Sequence, residues 1–146
     1  MRRRTFLTAT ASCGTLAISG CLSRLPGFGL EAAFETTDPE LDTAHPPDIT
    51  VDGDTIIVLG TIEYGSSECG TAELAHAEYE QSQSRLDLLV VAADDSSGIV
   101  SRSCSDDLVQ TGYRIEVTAP DDLRRVVATE HHLSGDAYST TESDLD

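Results

Sequence analysis

Histidine is the side chain in this sequence best suited to binding a transition metal, and two of the four histidines are adjacent. His131 and His132 lie near the end of a predicted strand, whereas His45 and His76 lie far from them in the sequence. Neighbouring residues on a strand point to opposite faces of a sheet, so the two adjacent imidazoles are not expected to reach one ion. The sequence therefore predicts no metal site on these histidines.

Carboxylates are the second group of candidate ligands, because hard oxygen donors suit Ca²⁺. The acidic residues are nowhere spaced as in the calcium-binding loop of an EF-hand. In a chain with 26 acidic residues, most carboxylates are expected to be hydrated surface groups. We therefore predict neither a cofactor nor a dedicated calcium site. Three Asp-Asp doublets lie in predicted turns, namely Asp94 with Asp95, Asp106 with Asp107, and Asp121 with Asp122.

Sequence motifs of hydrolases are absent. The chain contains no Gly-x-Ser-x-Gly, Ser-x-x-Lys or His-Glu-x-x-His, and it contains no lysine at all. Pairs of carboxylates are frequent in so acidic a chain, so their presence does not indicate acid/base catalysis. The sequence predicts a protein that is not an enzyme and has no catalytic residues.

The N-terminal residues carry a different kind of chemistry, because export and processing machinery reads them. Arg3 and Arg4 precede a Thr-Phe-Leu sequence and a weakly apolar run of Ala, Thr and Ser. An arginine pair before a short, mildly hydrophobic stretch matches the twin-arginine export pattern. An ordinary secretory leader is the alternative, and with either the domain that follows is exported. We predict a signal peptide over residues 1–20.

Cys21 completes a four-residue pattern, Ile18-Ser19-Gly20-Cys21. This pattern resembles a lipobox, in which an aliphatic residue, a small residue and a Gly or Ala precede a cysteine that receives lipid. The resemblance implies lipidation of Cys21 and attachment of the mature chain to the cell membrane on its extracellular face. Residues 21–29 contain proline and glycine and are predicted to be a short tether.

Cys69 and Cys104 remain as a pair once Cys13 is removed with the leader and Cys21 is lipidated. In an oxidising exterior a disulfide is the natural pairing. Closing a loop of about 35 residues should stabilise the fold by about 3 to 4 kcal/mol on the chain-entropy model. A redox role is not indicated because there is no Cys-x-x-Cys motif, and two thiols alone do not complete a tetrahedral metal site.

The charge of the chain excludes one class of partner. After the leader the chain contains six arginines and 26 acidic residues, which gives a formal charge of −20. Such a surface repels phosphate backbones, so nucleic acid binding is not expected. Molar salt shortens the Debye length to about 3 Å and reduces self-repulsion, so the composition suits a saline medium. Acidic and free of lysine, the chain resembles the twin-arginine-exported lipoproteins of halophilic archaea, an uncharacterised small β-rich family.

The elements that would position these residues are predicted to be strands. Two β-branched runs, Ile49 to Val51 and Thr55 to Tyr64, flank Asp52-Gly53-Asp54, which predicts a tight hairpin. Glu73 to Glu80 is ambiguous between helix and strand, and we favour a strand paired with Arg85 to Ala93. Further strands are predicted over 30–35, 113–118 and 123–132.

Six to seven short strands joined by turn residues, without long helices, predict an all-β fold, an antiparallel β-sandwich with an immunoglobulin-like topology. This domain is predicted over residues 30–133. From Ser134 the chain is polar, acidic and aperiodic, so residues 134–146 are predicted to be a disordered tail.

These predictions combine into one hypothesis about function. The chain would be a membrane-tethered extracellular lipoprotein, attached through lipid on Cys21, that acts without catalysis as a binding module for another protein of the cell envelope. The alternative is a carrier lipoprotein that binds a small ligand or a metal through His131, His132 or the aspartate turns.

Overall fold

The computed structural model describes residues 30–94 and 104–145. The predicted leader with Arg3 and Arg4, the lipidation site Cys21, the tether and Asp95 lie outside these residues. Within them, no helix is long or apolar enough to cross a bilayer. The described residues form eight strands and one short 3₁₀ helix at Gln81–Gln83. In chain order the strands are β1 (Ala32–Thr37), β2 (Asp48–Asp52), β3 (Thr55–Gly65), β4 (Gly70–Glu80), β5 (Arg85–Asp94), β6 (Leu108–Thr118), β7 (Arg125–His131) and β8 (Ala137–Ser143).

Two four-stranded sheets pack against each other. Sheet A has the strand order β1-β6-β3-β2, and sheet B has the order β4-β5-β7-β8. Alternate residues of the strands point inwards and form one apolar core between the sheets, in which Ile56 and Ile115 of sheet A and Leu86 and Val126 of sheet B are fully buried. The predicted all-β sandwich is confirmed.

One pair of strands is parallel. β5 and β7 lie side by side and run in the same direction, whereas the other described pairs are antiparallel. The reason is that the strand between them in sequence, β6, lies in the opposite sheet. The chain therefore leaves sheet B after β5, passes through β6 in sheet A, and returns to sheet B as β7, which runs in the same direction as β5. The prediction of a purely antiparallel sandwich is wrong at this pair.

The strand order differs from the predicted immunoglobulin-like topology. In the immunoglobulin order the first two strands of the chain are neighbours in one sheet. Here β1 pairs with β6, and β6 also pairs with β3. Strand patterns in a sequence indicate where strands lie but not which strands pair, so this part of the prediction had no local signal behind it.

The predicted hairpin at Asp52-Gly53-Asp54 is confirmed. β2 and β3 pair antiparallel up to Asp52 and Thr55, which leaves a two-residue loop. Gly53 has a φ of 62° at the first position of this loop, a conformation that glycine adopts without the steric cost of a Cβ atom.

The ambiguous segment Glu73 to Glu80 lies in β4, so the favoured strand prediction is confirmed. β4 forms a hairpin with β5 through the 3₁₀ helix, and the register of the pair shifts once between Leu74 and His76. The exposed residues of β4 are Glu73, Ala75, His76 and Glu78, so alanine and glutamate give its sequence a helix-like composition, whereas Ala72 and Tyr79 are buried as in a strand.

The prediction of a disordered tail from Ser134 is wrong, because Ala137–Ser143 forms the eighth strand, and the domain extends beyond residue 133. β8 pairs antiparallel with β7 along its whole length. Its sequence is polar because it is an edge strand with only a partly covered face, where Tyr138 and Thr140 are half-buried. Serine and threonine are compatible with an exposed edge strand. The strand is held by its backbone pairing with β7, although its sequence has no alternation of apolar and polar residues.

The sandwich has two ends that differ in construction. The hairpin end contains the Gly53-Asp54 turn, the loop between β6 and β7, and the point at which the described chain enters at Leu30. The disulfide end contains Cys69 and Cys104, the end of β3 and the turn between β7 and β8.

Candidate functional site

The predicted disulfide between Cys69 and Cys104 is present. The S–S distance is 2.04 Å, the Cα atoms are 5.6 Å apart, and the bond closes a sequence separation of 35 residues. It joins the segment just before β4 to the segment just before β6, so it connects the two sheets.

A group of hydroxyls and one carboxylate surrounds this bond. The Ser67 amide donates to Asp107 Oδ1 at 3.1 Å, and the Ser67 and Ser105 hydroxyls lie 3.3 Å apart. The amide of Cys69 donates to the hydroxyl of Ser66 at 3.2 Å. Hydrogen bonds from Ser105 and then Ser67 lower the pKa of Asp107 to about 2. Asp107 therefore ties the two cysteine-bearing segments together as a carboxylate.

The four histidines do not meet. His131 is exposed and His132 is buried, which confirms that the adjacent rings point to opposite sides of the strand. His45 donates from Nδ1 to the carbonyl of its neighbour Pro46 at 2.7 Å, and His76 lies 3.3 Å from Glu78 on the exposed face of β4. Among residues 30–94 and 104–145, no group of three or more His, Cys, Asp or Glu side chains is placed to hold a metal ion.

The aspartate doublets occupy both ends of the sandwich. Asp106 and Asp107 lie at the disulfide end, next to Cys104, and Asp121 and Asp122 lie in the loop between β6 and β7 at the hairpin end. Asp94 is the last residue of β5. The structure thus separates Asp121 and Asp122 from the other doublets, because Asp94 pairs with Gly70 and lies at the disulfide end with Asp106 and Asp107.

A buried polar network, formed by Tyr113, Glu130 and His132, was missed by the sequence analysis. The Tyr113 hydroxyl donates to Glu130 Oε2 at 2.8 Å, and His132 Nε2 lies 3.2 Å from Glu130 Oε1. Tyr113 belongs to sheet A and Glu130 to sheet B, so the network joins the two sheets through the core. The side chains of His132 and Glu130 are only 3% and 0% exposed, which leaves a substrate no route to them.

The hydrogen bonds fix the tautomer of His132. The amide of Glu63 donates to Nδ1 at 3.1 Å, so Nδ1 is an acceptor and the ring proton lies on Nε2, from which it is donated to Glu130. Burial raises the pKa of Glu130, against the opposing effect of the hydrogen bonds from Tyr113 and His132. Burial and the adjacent Glu130 also raise the pKa of the Tyr113 hydroxyl. Glu130 and Tyr113 thus release their protons less readily in the folded protein than they would in water.

One glycine makes room for this network. A Cβ atom on Gly60 would lie 2.3 Å from the Tyr113 hydroxyl oxygen and 2.4 Å from its ring carbon Cζ, both far inside van der Waals contact. The tyrosine ring therefore packs directly against the backbone of β3. The signal that could have indicated the network is the inward series Val126, Ala128, Glu130 and His132, in which two polar residues follow two apolar ones on the same face.

The network also protects a free strand edge. β2 pairs only with residues 55–59 of β3, so the second half of β3 lacks a strand on that side. There the His132 ring accepts from the Glu63 amide, and the Leu133 amide donates to the Glu63 carbonyl at 3.0 Å. The turn after β7 thus satisfies backbone groups that an open edge would leave unpaired.

A pair of exposed leucines lies beside this turn. Leu133 is 54% exposed and Leu108 is 62% exposed. Both lie against Gly65, where an added Cβ would be 2.9 Å from Leu133 Cδ2 and 3.5 Å from Leu108 Cδ2. We call these two side chains, with Gly65 between them, the leucine patch.

The hairpin end carries a shallow depression of about 190 Å³. The Gly53-Asp54 turn, the loop between β6 and β7, and Leu145 line it, together with the third exposed large apolar residue of the described chain, Val51. It contains no histidine or cysteine, and its two carboxylates, Asp54 and Asp121, are exposed.

Comparison with known proteins gives no relative: no family model, no curated protein and no solved structure matches this chain.

Proposed function

We propose that this chain is a membrane-tethered extracellular lipoprotein that acts, without catalysis, as a binding module of the cell envelope. Its sequence supports the anchor, because Ile18-Ser19-Gly20-Cys21 follows an arginine pair and a short apolar run. A disulfide between Cys69 and Cys104 supports export, because such bonds persist in oxidising compartments.

The observation that carries the proposal is the position of the chain entry relative to the leucine patch. The described chain enters at Leu30, beside the hairpin end, and the leucine patch lies at the disulfide end. β3 runs between the two ends with 11 residues, which corresponds to about 35 Å at the rise of a strand. A lipid on Cys21 would hold the hairpin end towards the membrane and present the other end to a partner.

The test is the replacement Cys21→Ser. We expect the wild-type protein in the membrane fraction and the variant in the medium, because two lipid chains hold a protein at a bilayer and an unmodified chain has no such anchor. Cys13→Ser is the matched control, since Cys13 lies within the predicted leader and should leave attachment unchanged. Retention of the Cys21→Ser protein in the membrane, or intact chain with Met1 in the cytosol, would contradict the proposal.

A further inference from the structure

The leucine patch is set apart from the other apolar surface of the described residues. The described residues include three exposed large apolar side chains, and two of them, Leu108 and Leu133, form this patch. The third, Val51, lies at the opposite end. Single exposed apolar residues are common on protein surfaces, but here two exposed leucine side chains approach the same glycine, Gly65.

The backbone that carries the patch is held rigidly. The Leu133 amide donates a hydrogen bond to the Glu63 carbonyl. The preceding residue is His132, whose ring is hydrogen-bonded to the buried Glu130. Leu108 follows Asp107, which accepts the Ser67 amide beside the disulfide. Because hydrogen bonds already hold both segments, docking a partner here would not require the additional entropy cost of ordering a loop.

Acidic residues lie close in sequence to each part of the patch. Carboxylates precede or follow its residues in each segment: Glu63, Glu68, Asp106, Asp107 and Asp136. The four arginines of the described chain lie elsewhere, with Arg85, Arg124 and Arg125 at the hairpin end and Arg114 in the middle of β6. Within the described residues, the patch is an apolar centre with a margin of negative charge, which is complementary to a surface with an apolar residue between cations.

A lipid surface does not fit this arrangement. The acidic margin would be repelled by anionic headgroups, and the proposed anchor lies at the other end of the domain. In concentrated salt the attraction between the margins of two proteins is screened, but contact between apolar side chains is not weakened. The leucines would then supply the stability of the complex and the carboxylates its specificity.

We propose that the leucine patch and its acidic margin form the docking surface for a partner protein, which inserts an apolar side chain flanked by Arg or Lys. This inference rests on the proposed function, since it names the chemistry of the partner of the tethered module.

Site-specific photo-crosslinking tests the proposal. Position 108, 133 or 51 of the full chain is replaced by a photo-crosslinking amino acid, and the protein is expressed in the membranes of its own cells. We expect adducts from positions 108 and 133 to one protein, with none from position 51. The contacted peptide, read by mass spectrometry, should contain an apolar residue next to Arg or Lys. Equal adducts from all three positions, none from 108 and 133, or adducts with lipid, with a second copy of this chain or with an acidic peptide would overturn the proposal.

Substitutions measure the contribution of the leucines. Leu108→Ser and Leu133→Ser should each weaken recovery of the crosslinked partner by about tenfold or more, as expected for residues at the centre of an interface. Val51→Ser is the matched control and should leave recovery unchanged. An intact disulfide and an unchanged circular dichroism spectrum check that each variant is folded. Equal recovery from all variants would overturn the proposal.

The fractionation of Cys21→Ser separates the two proposals. If the wild-type chain is anchored but positions 108 and 133 give no specific adduct, the docking surface is wrong and the anchor stands. If the chain is not anchored but these positions still give adducts to a basic peptide, the docking surface stands and the proposed tether is wrong.

Discussion

The two ends of this sandwich are held together in different ways. At the hairpin end short connections join strands that follow each other, such as the Gly53-Asp54 turn, and the long-range contacts are backbone hydrogen bonds, such as those from Ala119 to Asp54 and from Arg124 to Ser84. At the disulfide end the contacts join residues distant in sequence, such as Cys69 with Cys104 and Glu63 with His132. Because long-range contacts close long loops, the disulfide end should depend on a few side chains, whereas substitutions at the hairpin end should have small effects.

Among the changes that test this comparison, removal of the disulfide should have the largest effect on the free energy of unfolding. The double variant Cys69→Ser with Cys104→Ser should lower the free energy of unfolding by about 3 to 4 kcal/mol, because the unfolded chain regains the entropy of an open loop. The measurement is denaturant unfolding at high salt. Gly53→Ala, which forces a Cβ into a positive-φ position, is the hairpin-end control and should cost only about 1 to 2 kcal/mol. An equal effect of both changes would remove the distinction between the ends.

Removal of the buried carboxylate should come next. Glu130→Ala should lower the free energy of unfolding by about 2 to 4 kcal/mol, because the Tyr113 hydroxyl and the His132 ring both lose their buried acceptor. Glu116→Ala, on the exposed face of β6, is the control, and its change should stay below about 1 kcal/mol because its pair with Arg114 is exposed to solvent.

The pH dependence of the free energy of unfolding gives a second test of Glu130. Burial raises the pKa of Glu130 in the folded state. Its contribution to stability is therefore complete below the ordinary glutamate pKa and is lost as the pH rises through the raised value. Glu130→Gln should flatten this part of the stability curve, and a curve of unchanged slope would show that Glu130 is not the group involved.

Asp107 should give the smallest effect, visible only in acid. Its pKa of about 2 lies below the ordinary aspartate value of 3.8, so its contribution is present above pH 3.8 and is lost as the pH falls through about 2. Asp107→Asn should reduce the steepness of acid unfolding in that range, followed by circular dichroism. Asp121→Asn at the hairpin end is the control. If both variants unfold like the wild type, the serine contacts of Asp107 do not stabilise the disulfide end.

The sequence predicted features that depend on neighbouring residues. The Asp-Gly hairpin and the strand nature of Glu73 to Glu80 have local signals, and the disulfide followed from the count of cysteines. The partners of each strand, the parallel pair and β8 have none, because they depend on how β6 crosses to the opposite sheet and on which edge is left open.

The candidate sites divide in the same way between local and long-range features. The opposite directions of His131 and His132 follow from strand geometry and could be predicted. The network of Tyr113, Glu130 and His132 could not, because it requires knowing that β6 and β7 face each other across the core. The leucine patch depends in addition on Leu133 reaching the end of β3.

The edge position of β8 has a consequence for the association of the protein with itself. β7 carries valine and alanine on a backbone whose outer hydrogen-bonding groups are all taken by β8. Proteolytic loss of the last strand would leave this apolar backbone as an open template, onto which a strand of another molecule could add. The polar residues 137–143 therefore cover an apolar strand that would otherwise be an open edge.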